Sequence, residues 1–258
     1  MLLVIDAGNT HTVVGLYDGE ALRAHWRIFT SHYRTEDEFR ILISMLLQEE
    51  AVDREEVSGC CIASVVPPVD GPLTGVCRHA FGAAPLMVGP GVKTGLVIQV
   101  DNPKEVGADR IVNAVGAREQ FDGPLIIIDF GTATTFDVIT TQGEYRGGCI
   151  MPGIEIGADA LFQKCAKLPR IDISRPSSAL GKNTVDQIRA GLTLGYADMV
   201  DGMITRIRSE LGEDPTVVST GGYAAVIADV ASGIQHVDPL LTLKGLRAVY
   251  KRNQPQRA

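Results

Sequence analysis

Two stretches of the chain repeat the same short pattern at equivalent places in its two halves. Val4-Ile5-Asp6-Ala7-Gly8 and Ile127-Ile128-Asp129-Phe130-Gly131 each end an apolar run in an aspartate followed two residues later by a glycine. A Gly-Glu turn follows each copy, at Gly19-Glu20 and at Gly143-Glu144. Repetition over half a chain has too long a period for a solenoid and indicates duplication of a whole domain. The sequence therefore predicts two similarly built α/β domains, with a cleft between them as the expected ligand site.

The composition excludes several classes of protein. The formal net charge of −7, from 24 Lys+Arg against 31 Asp+Glu, argues against general binding to nucleic acid or to an anionic membrane. The first apolar run stops at Asp6, so no signal peptide is expected, and no stretch reaches the ~20 apolar residues of a transmembrane helix. The five cysteines form no Cys-x-x-Cys pair, which argues against zinc and disulfide frameworks. We predict a cytoplasmic protein with no nucleic-acid or membrane partner.

Apolar periodicity predicts three strands at the start of each half, followed by alternating helices and strands. The helix after the third strand opens with Thr35 and Glu38, which are spaced as a capping box. Helices are predicted at residues 35–50, 73–81, 156–165, 184–211, 223–231 and 241–251, and another begins near Asp109. The two domains are predicted at residues 1–116 and 117–258.

The turn after the first strand has the residues needed to hold a phosphate. Gly8 lets a phosphate approach the backbone closely, Thr10 and Thr12 offer hydroxyl donors, and Asp6 can hold Mg²⁺ through a water. One such turn by itself is typical of an ordinary hairpin. The second copy, Asp129–Thr135, favours a different interpretation, in which the two turns clamp a triphosphate and its metal from both sides.

A third glycine-containing motif follows the predicted strand over residues 216–219. Gly221-Gly222 opens a predicted helix, and paired glycines there leave room for a flat ring or a phosphate. A Gly-Gly turn is common, but after the two Asp-x-Gly turns it completes a series. The order resembles the phosphate-1, phosphate-2 and adenosine motifs of the actin, Hsp70 and sugar-kinase superfamily. That resemblance implies an α/β protein of two duplicated ribonuclease-H-like (actin-like ATPase) domains, with mixed five-stranded sheets and an interdomain cleft.

Residues 102–114 form the most distinctive segment. Asp109 lies at the start of a predicted helix, where the helix dipole is expected to keep its carboxylate ionised and able to accept a proton from a substrate hydroxyl. Arg110 offers a bidentate partner for a substrate carboxylate or phosphate. In isolation the same two residues also fit a helix-capping aspartate beside a surface arginine. A second loop, Gly89–Gly95, lacks the spacing of a phosphate-binding P-loop, because Val92 precedes Lys93, and is expected at most to line a cleft.

Taken together, these motifs resemble the type III pantothenate kinases from Asp6 to about Leu246. The matching segments are Asp6–Thr10, Asn102–Ala114 with its Gly107-Ala108-Asp109-Arg110 core, Asp129–Thr135, Gly147-Gly148 with Pro152-Gly153, and Thr220–Gly222. The resemblance implies ATP-dependent phosphorylation of the primary hydroxyl of pantothenate, the first step towards coenzyme A. It also implies a homodimer with the substrate pocket near the subunit boundary.

The resemblance carries roles to individual positions. ATP is expected to contact Asp6, Ala7, Gly8, Asn9, Thr10, His11, Thr12, Val13, Thr132, Gly221 and Gly222, with no separate role for the His11 side chain. Pantothenate is expected to contact Val100, Gly107, Ala108, Asp109, Arg110 and Thr184, with Asp109 as the proton acceptor. Asp129 is expected to hold a monovalent cation, K⁺ or NH₄⁺, and Asp6 to hold Mg²⁺ or another divalent cation through water. Val100 stands where a tyrosine is usual, which changes the wall of the expected pantothenate pocket.

Two other functions fit parts of the sequence. A pantothenate-kinase-like accessory factor in transcriptional regulation would keep the fold without the catalysis. A kinase of the same superfamily that acts on a sugar or on acetate would share the phosphate motifs, but the Gly107–Arg110 segment argues against it.

Overall fold

In a computed structural model, which describes residues 1–255, the chain forms two compact units. The first unit consists of Met1–Gly95, Asn102–Glu119 and the described residues from Thr242 onward, and the second consists of Leu96–Asp101 and Gln120–Leu241. The contacts therefore divide the chain near residue 119, close to the predicted boundary, but the last helix groups with the first unit. The predicted bounds of the two duplicated domains, 1–116 and 117–258, stay a prediction.

The sheet of the first unit contains five strands. They are β1 (Leu2–Ala7), β2 (His11–Asp18), β3 (Ala21–Phe29), β4 (Gly59–Ser64) and β5 (Leu86–Met87). Their order is β3-β2-β1-β4-β5; β2 is antiparallel to both β1 and β3, and β4 lies parallel to both β1 and β5. A sheet with this mixture of directions and two hairpins at one side is the mixed five-stranded sheet that the sequence predicts.

Helices α1 (Glu36–Glu49) and α2 (Pro67–Phe81) pack against this sheet. The predicted capping box at Thr35 and Glu38 starts α1. Helix α2 begins six residues before its predicted start, because Pro67-Pro68 occupies its first turn, where proline is tolerated, instead of only ending the strand. The core between them is fully buried and consists of Leu3, Ile5, Phe39, Ile43, Leu47, Val69, Leu73 and Val76, among others. The other helices of this unit are α3 (Ala108–Arg118) and α7 (Leu241–Asn253).

The sheet of the second unit contains six strands. They are β6 (Val97–Ile98), β7 (Leu125–Phe130), β8 (Ala133–Ile139), β9 (Glu144–Pro152), β10 (Thr216–Gly221) and β11 (His236–Val237), in the order β11-β10-β7-β8-β9-β6. Five of them repeat the order and directions of the first sheet, with β7 in the place of β1. The sixth strand, β6, is a two-residue addition parallel to β9 that the sequence did not predict, because two residues carry no usable periodicity.

The helices of the second unit are α4 (Ile154–Lys164), α5 (Thr184–Leu211) and α6 (Ala224–Ala228). Helix α5 has its predicted bounds, since the Asn183 side chain caps its start and Gly212 ends it in the left-handed conformation. Helix α6 is shorter than the predicted 223–231. Apolar side chains of α5, including Val200 and Ile204, pack on β7 and β10. In the described part of the chain no helix is long and apolar enough to cross a membrane.

Candidate active site

The first predicted phosphate turn, Asp6–Val13, begins at the carboxyl end of β1, beside the end of the parallel strand β4. Asp6 pairs with Ala63 and Ala7 with Ser64 across these two strands. The Gly8 amide donates to the His11 carbonyl at 3.0 Å and closes a tight turn between β1 and β2. The carboxyl edge of parallel strands is where α/β sheets bind ligands, so the fold puts this turn at a binding edge.

Thr30, which sequence analysis missed, holds this turn in shape. Its amide donates to the Thr10 carbonyl at 2.9 Å, and its hydroxyl donates to the Gly8 carbonyl at 2.8 Å. Its hydroxyl also lies 2.9 Å from that of Thr12, and both side chains are buried. The Thr12 hydroxyl is therefore already paired within the protein, and its role as a phosphate donor stays a prediction. The pairing of His11 with Phe29 puts Thr30 opposite the turn, and this was the available signal.

Asp109 is the second residue of α3, and its carboxylate bends back over the start of the helix. Oδ1 accepts from the Arg110 amide at 2.7 Å. A methyl group added at Gly107 would lie 2.5 Å from the same oxygen, so the absence of a side chain there makes room for the carboxylate. One carboxylate oxygen is thus held by the backbone, which fixes the direction of the side chain.

Burial raises the pKa of Asp109, even though the backbone hydrogen bonds and the Arg110 charge act in the opposite direction. The removal of water from the carboxylate therefore outweighs these favourable interactions, and the predicted ionised state of Asp109 stays a prediction. A carboxylate with a raised pKa is a stronger base than an ordinary aspartate. This is the direction that proton abstraction from a hydroxyl requires.

Val65 joins the first phosphate turn to the Asp109 segment. Its amide donates to the Ala7 carbonyl at 3.1 Å. Its Cγ1 atom lies 3.4 Å from the position that a Cβ of Gly107 would take. The turn between β4 and α2 is therefore in contact with both predicted sites. As a result, the turn after β1 and the Gly107 position both lie next to one residue within the first unit.

The second phosphate turn has an equivalent position at the end of β7. Its Asp129 lies beside the end of β10, where Gly221 pairs with Phe130. Gly221 has a φ of +94°, and a methyl group there would lie 2.6 Å from both Asp129 Oδ1 and the Phe130 carbonyl carbon. Glycine is therefore required at this position by conformation and by space. The structure thus brings Asp129 and the Gly221-Gly222 motif together.

The start of α4 and the middle of α5 fix the rest of this turn. The Gly153 amide donates to the carbonyl of Thr132, whose side chain is exposed, at 3.1 Å. The Tyr196 hydroxyl hydrogen-bonds with Thr134 Oγ1 at 2.8 Å and with the Pro152 carbonyl. Tyr196 was not identified from the sequence, since it reads as one more apolar position of a long helix.

A cavity of about 430 Å³ lies next to the Gly221-Gly222 motif, within the second unit. Its lining includes Tyr223, which follows the glycines, and charged side chains of both signs: Glu155, Asp159, Arg170, Asp172 and Arg189. Burial, followed by the charge of Glu155 and a hydrogen bond to it, raises the pKa of Tyr223. Thr184 is exposed in the first turn of α5, next to the lining residue Val185.

Val100 lies in the second unit, where it follows β6. Its Cγ1 atom is 3.6 Å from the position that a Cβ of Gly147 would take. The neighbouring Gln99 side chain donates to Glu144 at 2.6 Å. The residue that departs from the usual tyrosine is therefore placed against β9 and its Gly147-Gly148 pair, one of the segments that carries the family resemblance.

The comparison with known families decides the affiliation of the chain. Residues 2–206 match the family model of the type III pantothenate kinases. The chain belongs to the type III pantothenate kinase family. A protein named type III pantothenate kinase from Exiguobacterium sibiricum is 50% identical to it over 254 residues, which is 98% of this chain and 100% of that protein. The predicted family and the enzyme class, a kinase, are confirmed, and the accessory-factor alternative is not favoured.

Solved structures confirm the predicted fold class. A protein assigned to the Baf family of transcriptional activators from Campylobacter jejuni has a TM-score of 0.62 and 18% identity, covering 97% of this chain and 98% of that one. ROK hexokinase from Thermus thermophilus has a TM-score of 0.53 and 15% identity, covering 98% and 99%. At these identities the likeness shows the fold alone, so the roles of individual residues stay predictions.

Proposed function

We propose that this pantothenate kinase family member transfers the γ-phosphoryl group of ATP to the primary hydroxyl of pantothenate, the first step of coenzyme A synthesis. Family membership supports the substrates. The observation that carries the residue assignment is the double contact of Val65, with the Ala7 carbonyl on one side and the Gly107 position on the other. This contact supports an arrangement in which the Asp109 segment lies close to the proposed phosphate-binding turn.

Asp109 accepts the proton in this reaction. As the substrate oxygen forms its bond to the γ-phosphorus, the bond from that phosphorus to the β,γ-bridging oxygen breaks and ADP leaves. The hydroxyl proton moves to the Asp109 carboxylate. The Arg110 amide donates to Oδ1 and so fixes the direction of the carboxylate that takes the proton. Arg110 binds the carboxylate of pantothenate through its guanidinium group and so orients the hydroxyl.

The two turns and the glycine pair bind ATP. The Asp6–Val13 turn and the exposed Thr132 contact the phosphates, with Thr30 and Gly153 holding the two turns in shape. The cavity beside Tyr223 takes the nucleoside end, because it adjoins Gly221-Gly222 and combines apolar walls with hydrogen-bonding side chains.

The carboxylates of Asp6 and Asp129 fit the cations that the family implies. Among residues 1–255 no three histidine, cysteine, aspartate or glutamate side chains form a metal cluster. Mg²⁺ at phosphate sites uses one or two carboxylates together with phosphates and waters, so the single carboxylate of Asp6 suits it. Asp129 Oδ1 faces bare backbone at Gly131 and Gly221, which suits K⁺ or NH₄⁺. When bound, these ions neutralise phosphate charge.

We further propose a cytoplasmic homodimer. Exposed large apolar side chains occur on β9, α4 and α5 of the second unit: Ile150, Ile156, Leu161, Phe162, Val185 and Met199. Exposed apolar surface of this kind is typical of a subunit interface. A contact there would cover the rim of the cavity and Thr184. None of the five cysteines, all of which lie within residues 1–255, forms a disulfide, in keeping with a reducing compartment.

The test is an assay of the purified protein with ATP, Mg²⁺ and K⁺, in which pantothenate and pantothenyl alcohol are compared as acceptors. We expect phosphorylated pantothenate and an equal amount of ADP. We expect a much higher KM for the alcohol, which keeps the reacting hydroxyl but lacks the carboxylate. Absence of product with pantothenate under varied divalent and monovalent cations would contradict the proposal. Equal KM values would remove Arg110 from the role of carboxylate partner.

Gly107→Ala is expected to lower kcat by roughly 10–10² because the added methyl group displaces the Asp109 carboxylate from its position. The backbone of Gly107, with φ −57° and ψ 142°, is open to alanine, so the free energy of unfolding should not fall. Steady-state kinetics and thermal unfolding check both parts. Gly71→Ala, at an exposed position of α2 with open space around it, is the matched control. Unchanged kcat in Gly107→Ala would show that the position of this carboxylate does not matter.

A further inference from the structure

Helix α7 packs on the helix that carries Asp109. The Thr242 hydroxyl donates at 2.7 Å to Oδ1 of Asn113, which is fully buried one turn along α3 from Asp109. Gly245 lets the two helices approach closely, since a methyl group there would lie 1.9 Å from the Val112 carbonyl oxygen. Most of α7 lies within the first unit but beyond residue 206, where the match to the family model ends. The helix therefore supports α3 without belonging to any of the motifs discussed above.

The end of α7 binds two other segments at once. Arg252 donates to the Thr94 carbonyl at 3.0 Å through Nη1 and to Glu119 Oε1 at 2.6 Å through Nη2. Its guanidinium group occupies the space beside Gly95, where a Cβ would lie 1.6 Å from Nη1. A planar guanidinium with several fixed donors can hold two partners in different directions, which an ammonium group on a flexible stem does less well.

Asn253 also hydrogen-bonds with the loop that contains Thr94. Its Oδ1 accepts from the Lys93 amide at 3.0 Å, and its Nδ2 donates to the Lys93 carbonyl at 2.9 Å. Both hydrogen-bonding groups of one loop residue are thereby used. The loop is the Gly89–Gly95 stretch, which contains three glycines and for which the sequence suggested no role beyond lining a cleft.

The contacts of Arg252 and Asn253 flank the stretch that contains most of the predicted pantothenate residues. Lys93–Gly95 lies directly before the stretch that leads through Val100 to Asp109, and Glu119 directly follows α3. Arg252 and Asn253 thus hold the chain immediately before and immediately after residues 96–118. All of the predicted pantothenate residues except Thr184 lie within that stretch.

We propose that Arg252 and Asn253 are positioning residues for pantothenate, which hold the two flanks of residues 96–118 and so set the orientation of Asp109 and Arg110. This inference rests on the proposed function. A loop rich in glycine samples many backbone conformations when unbound. Fixing its end and the end of α3 to one side chain limits the directions in which the intervening stretch can move.

The test compares Arg252→Ala, Arg252→Lys and Asn253→Ala with the full-length enzyme. Arg252→Ala should raise the KM for pantothenate about tenfold, with the KM for ATP changed less than twofold. Arg252→Lys should recover part of the loss, since one ammonium group replaces only one of the two contacts. Asn253→Ala should act in the same direction and tests the idea if Arg252→Ala does not fold. Arg247→Ala is the control, because it lies on the same helix but pairs with Glu20 and Tyr17.

Hydrogen exchange separates this proposal from the proposed function. In Arg252→Ala and Asn253→Ala, amides of residues 93–95 and of the first turn of α3 should exchange faster than in the wild type, whatever substrate the enzyme uses. Faster exchange in a protein that does not phosphorylate pantothenate would overturn the proposed function, but it would support the conclusion that Arg252 and Asn253 hold the two flanks of residues 96–118. The proposal that Arg252 and Asn253 position the pantothenate residues would be overturned by unchanged exchange and unchanged KM in Arg252→Ala and Asn253→Ala. An equal rise of the KM for pantothenate and the KM for ATP would overturn it as well.

Discussion

Asp109→Asn is expected to lower kcat by roughly 10²–10⁴, with ATP binding retained. The amide keeps the shape of the side chain and can still accept the Arg110 amide proton through Oδ1, but it cannot take up the hydroxyl proton. Steady-state kinetics with pantothenate, together with a direct measurement of ATP binding, check the two parts. Because phosphoryl transfer depends strongly on positioning and charge neutralisation, activity should be reduced and not abolished.

Asp18→Asn is the matched control, since Asp18 is an exposed carboxylate at the far end of β2 from the phosphate turn. It should leave kcat unchanged. Wild-type turnover in Asp109→Asn would remove Asp109 from the role of base. A rise in the KM for ATP with constant kcat would instead assign it to nucleotide binding.

Asp109→Asn should also stabilise the folded protein at neutral pH. Burial raises the pKa of the native Asp109 above its value in the unfolded chain, so the wild type is penalised once the carboxylate ionises. The penalty is absent below the unfolded-chain pKa and develops as the pH rises through the native pKa. The Tm of Asp109→Asn should therefore exceed that of the wild type at neutral pH and equal it under acid conditions. A lower Tm at neutral pH would show that the carboxylate acts mainly as a helix cap.

Asp129→Ala is the second substitution with a large expected effect, and it should abolish activation by K⁺ and lower kcat on the order of 10²-fold. The variant removes the carboxylate that faces Gly131 and Gly221 at the second phosphate turn. Turnover measured over a range of K⁺ concentrations, at constant ionic strength, checks the effect. Asp129→Asn keeps the size of the side chain and separates the loss of charge from the loss of packing beside Gly221.

Asp122→Ala serves as the control, because Asp122 is exposed in the loop before β7. Its response to K⁺ should match that of the wild type. Activation by K⁺ that survives in both Asp129 variants would contradict the cation assignment, whatever happens to kcat.

Much of the fold followed from local patterns. The repeated Asp-x-Gly turns predicted the duplication, because each turn follows an apolar run that is typical of a buried strand. The bounds of α5 were predictable, since Asn183 and Gly212 supply the start and stop signals that a helix needs. The Gly107–Arg110 segment and the two turns were found in the same way, by residue types whose chemistry is local.

The remaining features depend on contacts between distant residues. Thr30 and Val65 support the first phosphate turn through hydrogen bonds that only strand pairing brings about. The direction of the Asp109 pKa depends on how much water the surrounding segments exclude, which no spacing reports. The placement of α7 with the first unit reflects packing more than 100 residues away in sequence.

The return of α7 to the first unit has a consequence for synthesis on the ribosome. Leu243 packs beside Gly15 on β2, and the Tyr250 ring lies against Gly59 on β4, so this helix covers one face of the first sheet. A growing chain must add about 120 residues after Glu119 before that cover exists, which takes roughly 6–25 s at usual elongation rates. During this interval the nascent first unit exposes apolar strand surface. The unit that emerges first is therefore the last to be finished, and it is the one that would most need protection by a chaperone.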